Sequence, residues 1–402
     1  MVQPQNPHAV TRDGRAPVSP AAVPAGAGNP SLAAAVDRRT VVGALWRAEG
    51  ERVRCVACGH RCLISAGRRG VCKVRFNEGG RLRVPFGYVA GLQCDPVEKK
   101  PFFHVLPGSE ALTFGMLGCD FHCAYCQNWV TSQALRDAAA STRVHPITPE
   151  QLVAAAGREG AKLVVSSYNE PLITAEWAVA VFAAARGAGL ECAVVSNGNA
   201  TPEALEFLAP WIGAYKVDLK GFNDQRYRSL GGTLAQVTET IRQLRARGLW
   251  LEVVTLVVPG FNDSEAELRA LAQFLVSVDP DIPWHVTAFH PDYRMTDPPA
   301  TTVTALCRAA ELGAAAGLRF VYAGNLPGRV GEWENTRCPN CGATVIERHG
   351  YLIRQYRLGP RGECPRCQRT LPGRWSSPGA ATVPGDDGRR AEPHRQPRPV
   401  QC

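Results

Sequence analysis

Between residues 111 and 323 the chain alternates short apolar runs with longer amphipathic ones. The apolar runs at 111–118, 161–167, 190–196, 214–219, 249–258 and 283–289 are too short for core helices and read as strands buried on both faces. Between and after them, stretches at 149–158, 172–188, 202–208, 233–247, 265–278 and 302–316 carry helical periodicity. Start signals sharpen several of these. Thr148-Pro149 and Thr201-Pro202 each put a capping hydroxyl before a proline in the first turn, and Ser264 with Glu267 has the spacing of a capping box. Strands alternating with helices imply right-handed βαβ units and a parallel sheet. Six units predict an α/β fold of the partial (β/α)6 barrel kind, with a last run at 318–323 extending its edge.

In parallel α/β sheets, ligands gather where strand C-termini meet the following loops. The polar residues at those ends therefore matter. The second strand runs into Ser166-Ser167-Tyr168-Asn169-Glu170, the third into Ser196-Asn197-Gly198-Asn199 and the fourth into Asp218-Leu219-Lys220. The fifth runs into Pro259-Gly260-Phe261-Asn262-Asp263 and the sixth into His290-Pro291-Asp292-Tyr293. Any one could be a cap or a turn, but all share one rim.

The first strand ends in Gly118-Cys119-Asp120-Phe121-His122-Cys123-Ala124-Tyr125-Cys126. Three thiolates at C-x3-C-x2-C spacing can hold three corners of a 4Fe–4S cubane and leave the fourth iron open. The alternative is a zinc knot short of one ligand.

Composition changes this picture in two ways. No uninterrupted apolar run approaches the length of a membrane span. Of the fifteen cysteines, eleven fall into three closely spaced groups, the habit of metal sites in a reducing cytoplasm rather than of a secreted disulfide framework. One group is the loop above. Another is Cys55, Cys58, Cys62 and Cys72, four thiols within 18 residues, which suit a closed zinc site or an auxiliary iron–sulfur cluster, zinc being the preferred reading. The last is Cys338, Cys341, Cys364 and Cys367, two C-x2-C turns that close a tetrahedral site, read as structural zinc with rubredoxin-type iron as the alternative, covering the barrel mouth or docking a partner. Cys192 and Cys307 read as plain buried residues; Cys94 and Cys402 stand outside the groups.

The net charge of +9 is uneven: +7 over residues 51–105, −7 over 106–336 and +6 over 337–374. The basic excess sits on the two cysteine modules, and arginine-rich faces of this kind read as solvated surface rather than as a nucleic-acid site. The chain thus divides into a Pro/Ala/Gly-rich leader read as disordered (1–35), an N-terminal cysteine module (50–108), the barrel (109–330), a C-terminal ribbon (335–374) and a disordered tail (375–402). A short helix is expected at 36–49, and a hairpin about Asn77-Glu78-Gly79-Gly80. Lys99 and Lys100 read as a solvated loop or as positioning an acidic group.

Together these motifs resemble the radical SAM superfamily, and within it the activases of glycyl-radical enzymes such as pyruvate formate-lyase activating enzyme. The longer set is similar to the radical SAM enzymes of the AmmeMemoRadiSam system: Cys55–Cys72, Asp95-Pro-Val-Glu-Lys-Lys-Pro101, the 118–129 loop, Tyr168-Asn-Glu-Pro171, Phe289-His-Pro-Asp-Tyr293 and the C-terminal cysteines. The resemblance implies reductive cleavage of S-adenosylmethionine to a 5′-deoxyadenosyl radical that takes hydrogen from a substrate, with glycyl-radical activation as the alternative. A zinc-ribbon binding module without catalysis is the competing class. It also implies roles. Cys119, Cys123 and Cys126 would hold the cluster, and Tyr125 would place the adenine. Asn169 and Glu170 fill the place of a Gly-Gly-Glu stretch that binds the methionine amino group, with the acid kept and the glycines not. Ser196 and Asn197 would lie near the ribose and carboxylate, and Asp218, Lys220 and His290 would line the pocket, Lys220 meeting the carboxylate. An external electron donor such as a flavodoxin or ferredoxin is implied, as are protein partners with Memo-like or AMMECR-like domains.

Overall fold

The computed structural model describes residues 32–140, 142–375 and 398–400. Most of the expected leader and tail lies outside these residues. Seven parallel strands form the body: Glu110–Gly115, Leu163–Ser166, Glu191–Ser196, Ala214–Asp218, Trp250–Val257, Trp284–Ala288 and Val321–Gly324, paired in chain order. The structure is therefore α/β, a partial barrel with one strand more than six repeats alone require. Leu163–Ser166 is buried at all four positions and Trp284–Ala288 at all five, which is why both read as unbroken apolar runs.

Helices Pro149–Arg158, Pro202–Leu208 and Glu265–Val278 begin and end where the pattern places them. Thr148 accepts from the Gln151 amide while the Gln151 side chain returns to the Thr148 amide, a complete capping box. At Ser264 only half the box forms. Its hydroxyl caps the Glu267 amide, but the Glu267 carboxylate turns away to the Phe222 amide (2.7 Å) and Arg226 (3.0 Å). A helix missing from the sequence reading, Asp224–Leu230, is capped by Asn223 and stopped by Gly231 in the left-handed region.

Several expectations are corrected at the edges. In place of a helix over 36–49, the helix is Leu32–Asp37, reaching into the expected leader, and strands Thr40–Val42 and Trp46–Glu49 follow. The β-branched Thr40-Val41-Val42 pairs antiparallel with Arg81–Pro85, and this pairing overrides the weak helical pattern. The expected hairpin forms between Phe76–Glu78 and Arg81–Pro85, with Gly79 (φ +57) and Gly80 (φ +78) supplying the two left-handed positions of its tight turn. Gly91–Pro96, read as part of the N-terminal module, adds antiparallel to Glu110–Gly115 and extends the barrel sheet. Arg398–Pro399, placed in the expected tail, pairs with Gln93 and Cys94 on that strand's other edge. Cys192 is buried, whereas Cys307 is only partly so, at the border of the face covered by Leu306, Ala309 and Ala310.

The two cysteine modules sit at opposite ends of the barrel. The C-terminal ribbon, built on Thr336–Arg337, Thr344–His349 and Leu352–Tyr356, does not cover the mouth. It seals the N-terminal ends of the strands. Glu252, buried near the start of its strand, accepts from the Phe103 and His104 amides (2.9 Å each) and from His285 Nε2 (2.6 Å). Arg348 from the ribbon donates to the Phe103 carbonyl (2.9 Å) and to Thr336 Oγ1 (2.7 Å), over the face of Phe103. Arg374 pairs with Glu191 at a third strand start (2.9 Å). Through these partners the ribbon docks at that end.

The cysteine segment of the N-terminal module, residues 55–75, lies on the other rim, whereas the end of the expected module folds to the sealed end, where Phe103 and His104 meet Glu252. Gly59 donates to the Asn199 carbonyl (2.8 Å), Arg75 to the Ile173 carbonyl (2.8 Å), and Arg61 to Glu203 (2.6 Å). Lys99 and Lys100 both pair with the buried Asp95, at 3.0 and 2.9 Å, and so stabilise the chain's own loop.

Candidate functional site

The loop after Glu110–Gly115 carries Cys119, Cys123 and Cys126, and the fold fixes it from several sides. Gly118 donates to the Thr131 carbonyl (3.1 Å), His122 to the Leu230 carbonyl (2.9 Å), and Arg294 to the Ala124 carbonyl (2.9 Å). Gly118 sits at φ +92 with the module's Cys72 carbonyl 2.9 Å and Val74 2.8 Å from where a Cβ would stand. No side chain fits at that contact. The sulfurs are also addressed: the Phe121 amide donates to Cys119 Sγ (3.4 Å), and Cys126 Sγ lies 3.2 Å from the Ser132 hydroxyl.

Around this loop the sequence-predicted residues converge, though not all as ligand groups. Glu170 is buried, and its carboxylate accepts from Ser196 Oγ (2.7 Å) and from the amides of Asn197 (2.8 Å) and Leu172 (3.1 Å). It braces the ends of two strands. Burial pushes its pKa up, the Asp120 carboxylate adds to that, and the three donors pull it back. Asn169 accepts from the Met116 amide (2.9 Å), and the preceding Tyr168 takes the left-handed conformation (φ +67) that a glycine would occupy without strain.

Asp218 and Lys220 form the charged wall. Asp218 meets Lys216 at 2.6 Å and Lys220 at 3.5 Å. Burial works against the Lys220 ammonium, but Asp218 and the thiols of Cys123 and Cys126 hold its pKa well above the ordinary value. Burial pushes the Cys123 thiol up to about 12 while Lys220 draws it down. Tyr125 is buried edge-on against Phe261 (5.6 Å between centroids), and its hydroxyl has no hydrogen-bond partner among the described residues. His290 stands exposed at the rim and accepts from Gln127 Nε2 on Nδ1 (3.2 Å).

Two residues that the sequence reading did not select hold the site together. Asp120, inside the cysteine motif, accepts from Asn197 Nδ2 (2.7 Å) and Asn199 Nδ2 (2.8 Å). An acid and two amides at adjoining strand ends were the signal available for them.

The donor set fits an iron–sulfur cluster. No three metal-ligating atoms of this loop come within 4.8 Å of one another, as ligands of one ion would. Thiolates that each bind a different iron are spaced more widely. At the ribbon the opposite holds. Cys338, Cys341, Cys364 and Cys367 have all four sulfurs within 4.8 Å, with pairs at 3.6 and 3.7 Å. Tetrahedral zinc with bonds of about 2.3 Å requires sulfurs about 3.8 Å apart. No helix among the described residues is long and apolar enough to cross a membrane.

Residues 114–272 match the model of the radical SAM superfamily. An uncharacterised protein of Methanocaldococcus jannaschii is 37% identical over 322 residues, which covers 80% of this chain and 94% of that protein. The isethionate sulfite-lyase activating enzyme of Oleidesulfovibrio alaskensis is 30% identical over 32% of this chain, and the chain spans less than half (43%) of that relative's length. A pyruvate formate-lyase-activating enzyme of Staphylococcus aureus is 26% identical over 46% of this chain and 76% of that enzyme. Among solved structures, Streptococcus suis SuiB aligns over 57% of this chain and 52% of its own, with a TM-score of 0.43 and 14% identity. With the cysteine loop, the parallel barrel and the matched domain in agreement, the chain belongs to the radical SAM superfamily and is a radical SAM enzyme.

Proposed function

We propose that Cys119, Cys123 and Cys126 hold a 4Fe–4S cluster at which S-adenosylmethionine is cleaved reductively, for hydrogen abstraction from a substrate. The observation that carries this is the three-thiol loop with no fourth cysteine, its sulfurs too far apart for one ion and its charge answered by Lys220. Reduced, and with S-adenosylmethionine on its open iron, such a cluster supplies a 5′-deoxyadenosyl radical.

The chain's own residues position the ligand. Lys220 presents an ammonium for the methionine carboxylate. Tyr125 closes the pocket beside the cluster and offers a hydroxyl with no hydrogen-bond partner among the described residues. Glu170 fixes the Ser196–Asn197 turn, so that Ser196 and the Asn197 backbone hold their places whether or not ligand is present. His290 and Gln127 form the outer rim.

For the hydrogen donor, a glycyl residue of a partner enzyme is the reading that the activase relatives support. The C-terminal ribbon seals the far end of the barrel and leaves the mouth uncovered by it, as entry of a protein loop requires. Placement among the AmmeMemoRadiSam enzymes, a flavodoxin- or ferredoxin-type donor, partners with Memo-like or AMMECR-like domains, a cytoplasmic setting and zinc at the ribbon belong to the same proposal.

Electron paramagnetic resonance of the reduced protein tests it. Adding S-adenosylmethionine should change the cluster signal, and Lys220→Ala should raise the concentration needed by tenfold or more, about 1.4 kcal/mol. A signal indifferent to S-adenosylmethionine would overturn the proposal.

A further inference from the structure

The chain has two four-cysteine sites, and their geometries differ. The ribbon sulfurs crowd to the spacing of a single ion. Among Cys55, Cys58, Cys62 and Cys72, no three sulfurs come within 4.8 Å of one another. The segments that carry them converge: the Cys55 amide donates to the Cys62 carbonyl (2.9 Å), the Arg61 amide to the Cys58 carbonyl (3.0 Å), and Cys62 Sγ lies 3.5 Å from where a Cβ would stand on Gly70, two residues before Cys72. Three of the four cysteines are buried, and Cys62 is partly so. Neighbouring thiols spaced too widely for one ion suit a polynuclear cluster, in which each thiolate caps a different iron.

The surroundings agree. Arg75, 1% exposed, lies with Nη1 3.7 Å from Cys55 Sγ. A guanidinium donor of this kind offsets the negative charge of a thiolate-ligated cluster and contributes to its potential.

We infer that Cys55, Cys58, Cys62 and Cys72 hold a second 4Fe–4S cluster, in place of the zinc that their spacing alone suggests. Its loop touches that of the first at two points. The Cys72 carbonyl lies against Gly118, and His60 Nε2 donates to the Asp120 carbonyl (3.2 Å). The second cluster therefore sits beside the cleavage site, on the rim, and not at the sealed end with the ribbon.

Counting metals tests this without relying on catalysis. Anaerobically reconstituted wild type should hold about eight irons and eight sulfides per chain, and the Cys119/Cys123/Cys126→Ala variant about four, with a 4Fe–4S absorption and Mössbauer signature. A Cys58→Ser/Cys72→Ser variant should likewise fall to about four irons while keeping the ribbon metal. The proposal is overturned if wild type holds about four irons and the triple variant none, with about two zinc ions per chain. Loss of S-adenosylmethionine response with four irons left in the triple variant would leave this inference standing, because it tests only the first site.

Discussion

The side-chain amide of Asn197 donates to Asp120 Oδ1 across 2.7 Å, so the loop after the third parallel strand grips the loop that carries the cysteines. Asn199 takes the other carboxylate oxygen at 2.8 Å. With His60 on its main-chain carbonyl, Asp120 joins the cluster loop, the strand ends and the N-terminal module in one residue.

Asp120→Asn keeps the shape but sets an amide against two amides. The loop should keep its iron and lose positional accuracy. Groups that orient metal ligands in this way typically cost 10–100-fold in affinity or activity when removed. Iron content within error of wild type, with S-adenosylmethionine cleavage slowed by about that factor, is the expected result of parallel iron and kinetic assays.

Gly118→Ala tests the contact between module and loop. A Cβ there would stand 2.8 Å from Val74 and 2.9 Å from the Cys72 carbonyl, in a left-handed backbone. The cost should be about 1–3 kcal/mol in chemical unfolding, together with a loosened cluster loop.

The sealed end of the barrel predicts a pH dependence. Arg348 donates to Thr336 Oγ1 (2.7 Å), Thr336 lies 2.9 Å from the Tyr322 hydroxyl, and that hydroxyl lies 2.6 Å from His104 Nε2. Nδ1–H of the same ring donates to the Pro372 carbonyl (2.8 Å). The chain of donors runs one way and ends on a neutral imidazole. Burial pushes the His104 pKa down from 6.5 to about 4. A depressed histidine leaves the unfolded chain binding more protons, so its contribution is full above pH 6.5 and fades as the pH falls towards 4. Glu98, raised by burial to about 7, acts in the opposite sense over 4.5 to 7. Comparison with His104→Gln isolates the histidine. From pH 7 to 5 the wild type should lose on the order of 1–3 kcal/mol more stability than the variant.

At the ribbon, Cys364→Ser should release one metal ion per chain and lower the thermal midpoint, because a structural zinc site contributes folding energy directly. The iron content should not change. Elemental analysis alongside a melting curve checks both.

The barrel was legible because its strands are buried on both faces and its helices carry caps such as Thr148 and Thr201, which act within a few residues. The helix Asp224–Leu230 was not, since only Tyr227 and Leu230 of its seven residues are buried and its pattern is too short to show a period. The Ser264 box failed by half because Glu267 found tertiary partners 41 and 45 residues away. The end at which the ribbon docks depends on Arg348 meeting Phe103 across 245 residues, a contact no local pattern encodes. At the site, residue types pointed to the rim where Glu170, Ser196 and Asn197 meet the cysteine loop. They did not reveal that Glu170 braces the strand ends or that Asp120 is the knot, because both roles exist only once three loops meet.

The central claim is the radical chemistry at Cys119, Cys123 and Cys126, and release of 5′-deoxyadenosine measures it most directly. Anaerobically reconstituted wild type and Cys123→Ala are reduced with dithionite in the presence of S-adenosylmethionine. The account predicts 5′-deoxyadenosine and methionine from the wild type and none from the variant. A wild type that carries its full iron and forms no 5′-deoxyadenosine, or a variant that forms as much, would contradict it.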